Sequence, residues 1–334
     1  MSRPRSVRRA RAMPRPDPQR RRWLARGGAF GLLGALAWCA PLRAAAPAAA
    51  APARFPTRVV SMNWELTETL LALGVVPVGV SLPDWYRSSI VEPPLPPGVA
   101  DIGLLYQPNF EVLLALRPDL LVITPGHLPA LRTLQRVAPT ITLSQYMTSA
   151  QPYRDLCGET VTLGARLGRT ARAQQLVAEA ARTTEAVRAR LAARPALLRH
   201  PLIVAELVDD RHLRVYGRGS LFDEMLARLG AANAAHPRDG GAAWPTQAGY
   251  ALVPLQRLAE VPAASLLLVG PVRPDARRGL DDNAIWQALP AVRERRVATL
   301  PVIAPYGGLV SMQRFAGAIE AALTAIDAGG GGVA

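Results

Sequence analysis

One uninterrupted stretch does most to limit the folds open to this chain. Residues 170–193 run two dozen positions without glycine or proline and are dense in alanine, glutamine, glutamate and arginine. Such a segment reads as a helix about 35 Å long, with Thr170 as its N-cap and Pro195 as its stop. Before it, strand-like runs at 58–61, 75–80 and 120–123 alternate with helical patterns at 64–73 and 109–116, and a further helix at 153–167 ends at Gly168. After it, strands at 202–207, 213–216, 265–269 and 296–300 alternate with helices at 220–229, 255–260, 285–288 and 310–326. Residues 120–123 are apolar throughout, as in a parallel sheet covered on both faces. The expectation is two α/β lobes bridged by one long helix; a surface helix of one large α/β domain is the alternative. Residues 93–97 form a stiff polyproline-like loop.

The net charge of +14 over 334 residues suggests a polyanionic partner until its position is considered. Residues 1–46 hold 11 arginines against the single acid Asp17, which leaves 28 arginines against 24 acids in the rest of the chain. The basic excess therefore belongs to the leader, and nucleic-acid binding loses its main support. Arg20, Arg21 and Arg22 precede Trp23 and Leu24, an apolar run at 27–40 follows, and small residues close it at 44–46. This is the layout of an export signal, twin-arginine-like, with Met1 or Met13 as the start and the periplasm as destination. A retained anchor is the lesser alternative, since the run is short for a membrane span. Trp38 before Cys39 makes a poor lipid-attachment box, so lipidation is not favoured. Residues 47–56 read as a disordered linker, 57–152 as the first lobe, 153–194 as the helical connection, 195–328 as the second lobe and 329–334 as a flexible tail. Only Cys157 remains beyond the leader, so no internal disulfide is expected.

No nucleophile elbow, zinc-protease motif, paired-cysteine motif or phosphate loop is present. His127, His200, His212 and His236 show no helical ligand spacing, and Gly217-Arg218-Gly219-Ser220 reads as a turn capped by Ser220. Asp209 and Asp210 read as a turn. Enzymatic activity therefore has no positive support, and no metal site built by the protein alone is expected. Aromatic and amide-bearing residues instead gather in the loops at strand ends: Trp64, Trp85-Tyr86-Arg87, Tyr106-Gln107, His127, Trp244, Tyr250 and Tyr306. Ligands of α/β sheets sit beyond the carboxyl ends of the strands, and this set suits a flat, partly apolar one.

Glu92-Pro93-Pro94-Leu95-Pro96, Asp101-Ile102-Gly103 and Pro108-Asn109-Phe110-Glu111, then Arg211-His212-Leu213, Gly219-Ser220-Leu221-Phe222, Trp286 to Pro290 and Tyr306-Gly307 with Ser311 and Phe315, resemble the periplasmic iron(III)-hydroxamate-binding proteins. These are the ferrichrome-type receptors of ATP-driven importers, and the likeness covers roughly 55–328. It implies a helical-backbone periplasmic binding protein fold: two α/β lobes on one rigid helix, a shallow cleft between them and little closure. It implies a monomer that captures a ferric siderophore and delivers it to an inner-membrane ABC permease with a cytoplasmic ATPase. The iron arrives already chelated, so no cofactor is implied. The positions matching the family's permease-docking glutamates are Glu111 and Glu224, both read as exposed. The ligand positions implied are Trp64, Trp85, Arg87, Tyr106, His127, Trp244, Tyr250 and Tyr306. Leu105 stands where the family has a hydroxamate-binding arginine and His127 where it has a tyrosine. Ser89, Ile123 and Ala235 stand at cleft tryptophan positions. Tyr106 and Arg87 are the candidate replacements, so a siderophore other than ferrichrome is expected. Haem or a corrinoid is the rival ligand, with Tyr106 or His127 as axial ligand to haem; a siderophore-processing enzyme is the rival of another class.

Overall fold

A computed structural model of the protein describes residues 55–333. The export signal, Cys39 and linker residues 47–54 lie outside the described residues. The first sheet is built from β1 (Val59–Ser61), β2 (Gly79–Val80), β3 (Ala100–Asp101), β4 (Leu120–Ile123) and β5 (Thr140–Thr142), in the order β3-β2-β1-β4-β5. All four pairings are parallel. Only two residues of the run at 75–80 pair as a strand, because Pro77 has no N–H to give a ladder. Helices α1 (Trp64–Ala72), α2 (Pro83–Ser89), α3 (Phe110–Leu116) and α4 (Leu131–Leu134) connect the strands. Asn63 caps α1 through a bond from the Glu65 N–H, and Asn109 caps α3 through bonds from Glu111 and Val112. Alternate residues of β1 and β4 enter different cores: Val59, Leu120 and Val122 on one face, Val60, Leu121 and Ile123 on the other. Burial on both faces is why 120–123 carries no polar residue.

Helices α5 (Pro152–Arg166) and α6 (Thr170–Ala192) carry the chain from this sheet to the next. Ala173 of α6 packs in the first lobe's core, while Leu176, Ala180, Val187 and Leu191 belong to the core under the second sheet. Thr170 is the first helical residue rather than the cap. Arg169 holds the cap position without a side-chain bond, because a guanidinium has no acceptor to offer the first N–H groups, while its own N–H returns to Gly164 as α5 turns directly into α6. The second sheet contains β6 (Leu202–Leu207), β7 (His212–Tyr216), β8 (Tyr250–Pro254), β9 (Ser265–Gly270) and β10 (Val297–Val302), in the order β10-β9-β6-β7-β8. Strands β10, β9 and β6 are parallel, whereas β7 and β8 run antiparallel to their neighbours. Helices α7 (Leu221–Leu229), α8 (Pro274–Asp281), α9 (Ala284–Ala288), α10 (Pro290–Arg293) and α11 (Leu309–Asp327) complete the lobe. Ser220 caps α7 as read from the sequence, while the segment at 255–260 is a 3-10 helix. Cys157 is a half-buried free thiol. Among the described residues no helix is long and apolar enough to cross a membrane.

The lobes are stitched together beside α1. Glu68 of α1 is fully buried, and its carboxylate accepts from the N–H groups of Gly308 and Ser311 (2.9 and 2.8 Å) and from Ser311 Oγ (2.6 Å). It thereby closes the amino end of α11, where unpaired N–H groups and the helix dipole favour an acid. The fit leaves no room at the two glycines: a Cβ at Gly307 would lie 2.3 Å from Ser311 Oγ, and one at Gly308 would lie 2.9 Å from Glu68 Oε1. Tyr146 Oη donates to the Tyr306 carbonyl at 2.6 Å, and Arg314 of α11 donates to the Ile90 carbonyl at 3.1 Å.

Candidate ligand cleft

A cleft of ≈ 390 Å³ lies where the carboxyl ends of the two sheets face each other. Asn63, the cap of α1, and Trp64 and Glu65 in its first turn line it, α2 brings Trp85, the loop after β3 brings Leu105 and Tyr106, and the segment after β10 brings Tyr306. Glu206 on β6 and Arg214 on β7 face them from the second lobe. A larger hollow of ≈ 820 Å³ sits at the amino ends of β6 and β9, between Pro201 and Ala264. The position rule for α/β sheets selects the smaller cleft.

Trp64 and Trp85 are stacked with their ring centres 5.5 Å apart and planes 3° from parallel. The indole N–H of Trp64 donates to the Ser81 carbonyl, which leaves Trp85 as the exposed outer leaf. Tyr106 is also exposed and rests against Gly126, where a Cβ would meet its ring at 2.6 Å. Across the cleft, Glu206 and Arg214 are directly opposite in the antiparallel ladder and form a 2.8 Å ion pair. Arg214 lies over the Tyr250 ring at 4.9 Å, and its Nε–H has no hydrogen-bond partner. Glu65 is buried with its Oε1 unpartnered, and burial pushes its carboxyl up to about 8.

The sequence-predicted set divides. Trp64, Trp85, Tyr106 and Tyr306 come together at the cleft. Arg87 does not join them: it is exposed on the far side of α2 and pairs with Asp84 at 2.9 Å. His127 is buried beneath the Tyr106 loop. Its Nδ1 accepts from the Thr124 N–H, so its Nε2–H donates to the Leu105 carbonyl at 2.7 Å. Desolvation lowers its pKa and keeps the ring neutral, and with both nitrogens engaged it positions Tyr106 rather than facing a ligand. Trp244 is in the second lobe's core under Arg257, and Tyr250 stands behind Arg214. Glu111 is exposed as read, but Glu224 is not. Its carboxylate accepts from the Tyr153 N–H at the start of α5 and pairs with Arg228, which leaves the side chain 20% exposed. The sequence reading passed over Glu65, Glu206 and Arg214. A signal for the last two was present: charged residues at facing positions of two otherwise apolar strands joined by an Asp-Asp turn.

The sequence pattern of a family described as periplasmic binding protein matches residues 59–304. The chain belongs to that family. It is 31% identical over 271 residues to the iron(3+)-hydroxamate-binding protein FhuD of Escherichia coli, covering 80% of this chain and 87% of that one. Among solved structures it resembles the siderophore-binding protein FhuD of Vibrio cholerae bound to Fe3+-Desferal, with 29% identity, a TM-score of 0.71 and coverage of 81% and 98%. The petrobactin-binding protein YclQ of Bacillus subtilis shares the fold at 19% identity and a TM-score of 0.64, covering 81% of this chain and 93% of that one. The family expected from the Glu92–Pro96 and Arg211–Leu213 segments is thus the one found, and the two α/β sheets with their helices are its fold. Its members bind solutes. Among the described residues no group of three or more histidine, cysteine or acidic side chains is placed to hold a metal ion.

Proposed function

We propose that this protein captures a ferric hydroxamate siderophore in the periplasm and delivers it intact to an inner-membrane ABC permease driven by a cytoplasmic ATPase. The similarity to two FhuD proteins supports the solute class. The observation that carries the reading is the charge of the cleft. Among its lining residues Arg214 alone is basic, and Glu206 already balances it. Glu65, with its carboxyl raised to about 8, adds no charge at neutral pH. An uncharged cleft suits an uncharged guest. Ferric iron held by three hydroxamates, each carrying one negative charge, is neutral overall. A ferric tris-catecholate, or haem with its carboxylates, would bring buried negative charge that nothing here offsets.

Recognition on this reading is divided between the walls. Trp85 and Tyr106 supply flat apolar surface to the ligand's organic shell. Arg214, which lines the cleft, offers its guanidinium to the iron-bound oxygens and replaces, from the second lobe, the arginine that Leu105 displaces in the first. The iron is cargo and needs no ligand from the protein. The chain acts as a monomer and without catalysis, exported by its twin-arginine-like leader and not anchored through Cys39. Glu111 is the docking contact to the permease on the first lobe. Glu224, half-buried and already paired, serves the second lobe's docking face only through the local geometry it holds. The Glu68 stitch supports a receptor whose lobes close little on loading.

Titrating tryptophan fluorescence with the N-acetylated form of ferric desferrioxamine B, which is neutral overall, a ferric tris-catecholate, haem and cobalamin tests the reading. The hydroxamate should quench at the lowest concentration. Arg214→Leu should weaken it by about tenfold to a hundredfold, the worth of about 1.5–3 kcal/mol for a charge-assisted bond. Tighter binding of the tris-catecholate, or a Soret band with haem at lower concentration, would overturn it.

A further inference from the structure

Glu65 combines three properties that seldom occur together without a ligand. It lines the cleft beside Trp64, its side chain is only 6% exposed, and its Oε1 has no partner. Native interiors leave few polar atoms in that state. On its inner side the residue borders a void of ≈ 10 Å³, room for no more than a single water.

The ionisable groups around it are known from every side. Glu68, one turn along the same helix, is occupied by the amino end of α11. Tyr146, in the segment after β5, and Glu159 of α5 border the inner void. Glu159 is already bonded to the N–H groups of Ser144 and Gln145. Tyr306 reaches the cleft from the segment after β10, and the Glu206–Arg214 pair faces across it. Arg214 is the sole cation of this group, and it is bonded to Glu206. Burial first, and then the charge of Glu68, hold the Glu65 carboxyl in its acid form at neutral pH.

Resting on the siderophore reading above, we propose that Glu65 is a specificity residue of the cleft, whose carboxylic acid O–H donates a hydrogen bond to a carbonyl or hydroxamate oxygen of the chelate's organic shell. The ionised form has no hydrogen to give and turns a negative oxygen toward the ligand's own. Affinity is therefore complete below the carboxyl's pKa of about 8 and falls as pH rises past it, by about tenfold per pH unit. A ligand that met Glu65 with an ammonium group would show the opposite slope, because it would bind the carboxylate and release the proton.

The test is a fluorescence titration of the mature protein between pH 6.5 and 9.5. The probes are ferric desferrioxamine B, which carries a free ammonium tail, and its N-acetylated derivative, which does not. For both, the wild type should weaken about tenfold between pH 7 and 9. Glu65→Gln, which keeps a donor of the same shape, should bind within threefold of the wild type at pH 7 and show a flat profile. Glu65→Leu should be at least tenfold weaker at pH 7 and equally flat. A flat wild-type profile, a Gln variant that keeps the wild-type slope, a Leu variant with wild-type affinity, or tightening of the cationic chelate alone as pH rises would each overturn the assignment. If the wild type binds neither chelate at pH 7, the siderophore reading itself falls and takes this proposal with it.

Discussion

The two lobes solve the same topological problem with different sheets, and the difference sorts their chemistry. The first sheet is wholly parallel with strands of two to four residues, so the segments that follow β1, β2 and β3 meet at the cleft, where they place Trp64, Trp85 and Tyr106. The second keeps a parallel half but adds the antiparallel β7 and β8, so the middle of a strand, not just its end, borders the cleft. A charge placed there can be held by a partner on the adjacent strand, as Arg214 is by Glu206 and by the face of Tyr250. Loops can offer surface; a ladder can hold a charge in place. The second lobe's ladder supplies the cleft's ion pair, and the first lobe supplies its stacked indoles and Tyr106.

The sharpest way to break this contrast is Trp244→Ala. Trp244 is 6% exposed inside the second lobe, so its loss should cost about 3–5 kcal/mol of stability. Ferric hydroxamate affinity should stay within about twofold, since a side chain outside the cleft makes no ligand contact to lose. Denaturant melts paired with titration measure both, and a tenfold loss of affinity would return Trp244 to the cleft wall. Next in size is Glu68→Ala, which strips the acceptor from two backbone N–H groups and one hydroxyl. A loss of about 2–4 kcal/mol is expected. Hydrogen exchange should quicken at the amino end of α11 and along α1 while the β9 and β10 amides stay protected; uniform acceleration would mean the stitch is not local. Smallest is Trp85→Ala. Its stacking on Trp64 and exposed outer face are worth about 1 kcal/mol, or about fivefold in affinity, with much of the ligand-induced quenching lost. No change in either would remove the aromatic wall from recognition.

Much of the fold was legible because burial writes itself into composition. The uniformly apolar 120–123, the glycine-free run at 170–193 and the hydroxyl cap Ser220 each correspond to an element the structure contains. Three strands escaped notice, all at sheet edges: Ala100–Asp101 and Thr140–Thr142 are too short to show a period, and Tyr250–Pro254 is apolar throughout and shows no alternation. Of the site, the aromatics were legible by type but not by address. Trp64 and Trp244 are the same residue type, but Trp64 opens helix α1 at the cleft whereas Trp244 lies in an irregular segment and packs into the second lobe's core. His127 has the chemistry of a ligand, yet a side chain's destination depends on which carbonyl lies opposite it, here Leu105 from a loop 22 residues earlier. Glu65 was the hardest. An acid in the first turn of a helix ordinarily answers the helix dipole, and nothing in its neighbours announces that this one is buried.

The fit of Gly307 and Gly308 against Glu68 has a bearing on how this receptor would look to genetics. Neither position belongs to the cleft wall, yet a methyl group at either collides with atoms that join the halves of the molecule. Mutants selected only for failed iron supply would mark these two alongside true cargo residues. On the siderophore reading, a map of the pocket drawn from phenotype alone would come out too wide, extending down a seam outside the cleft wall.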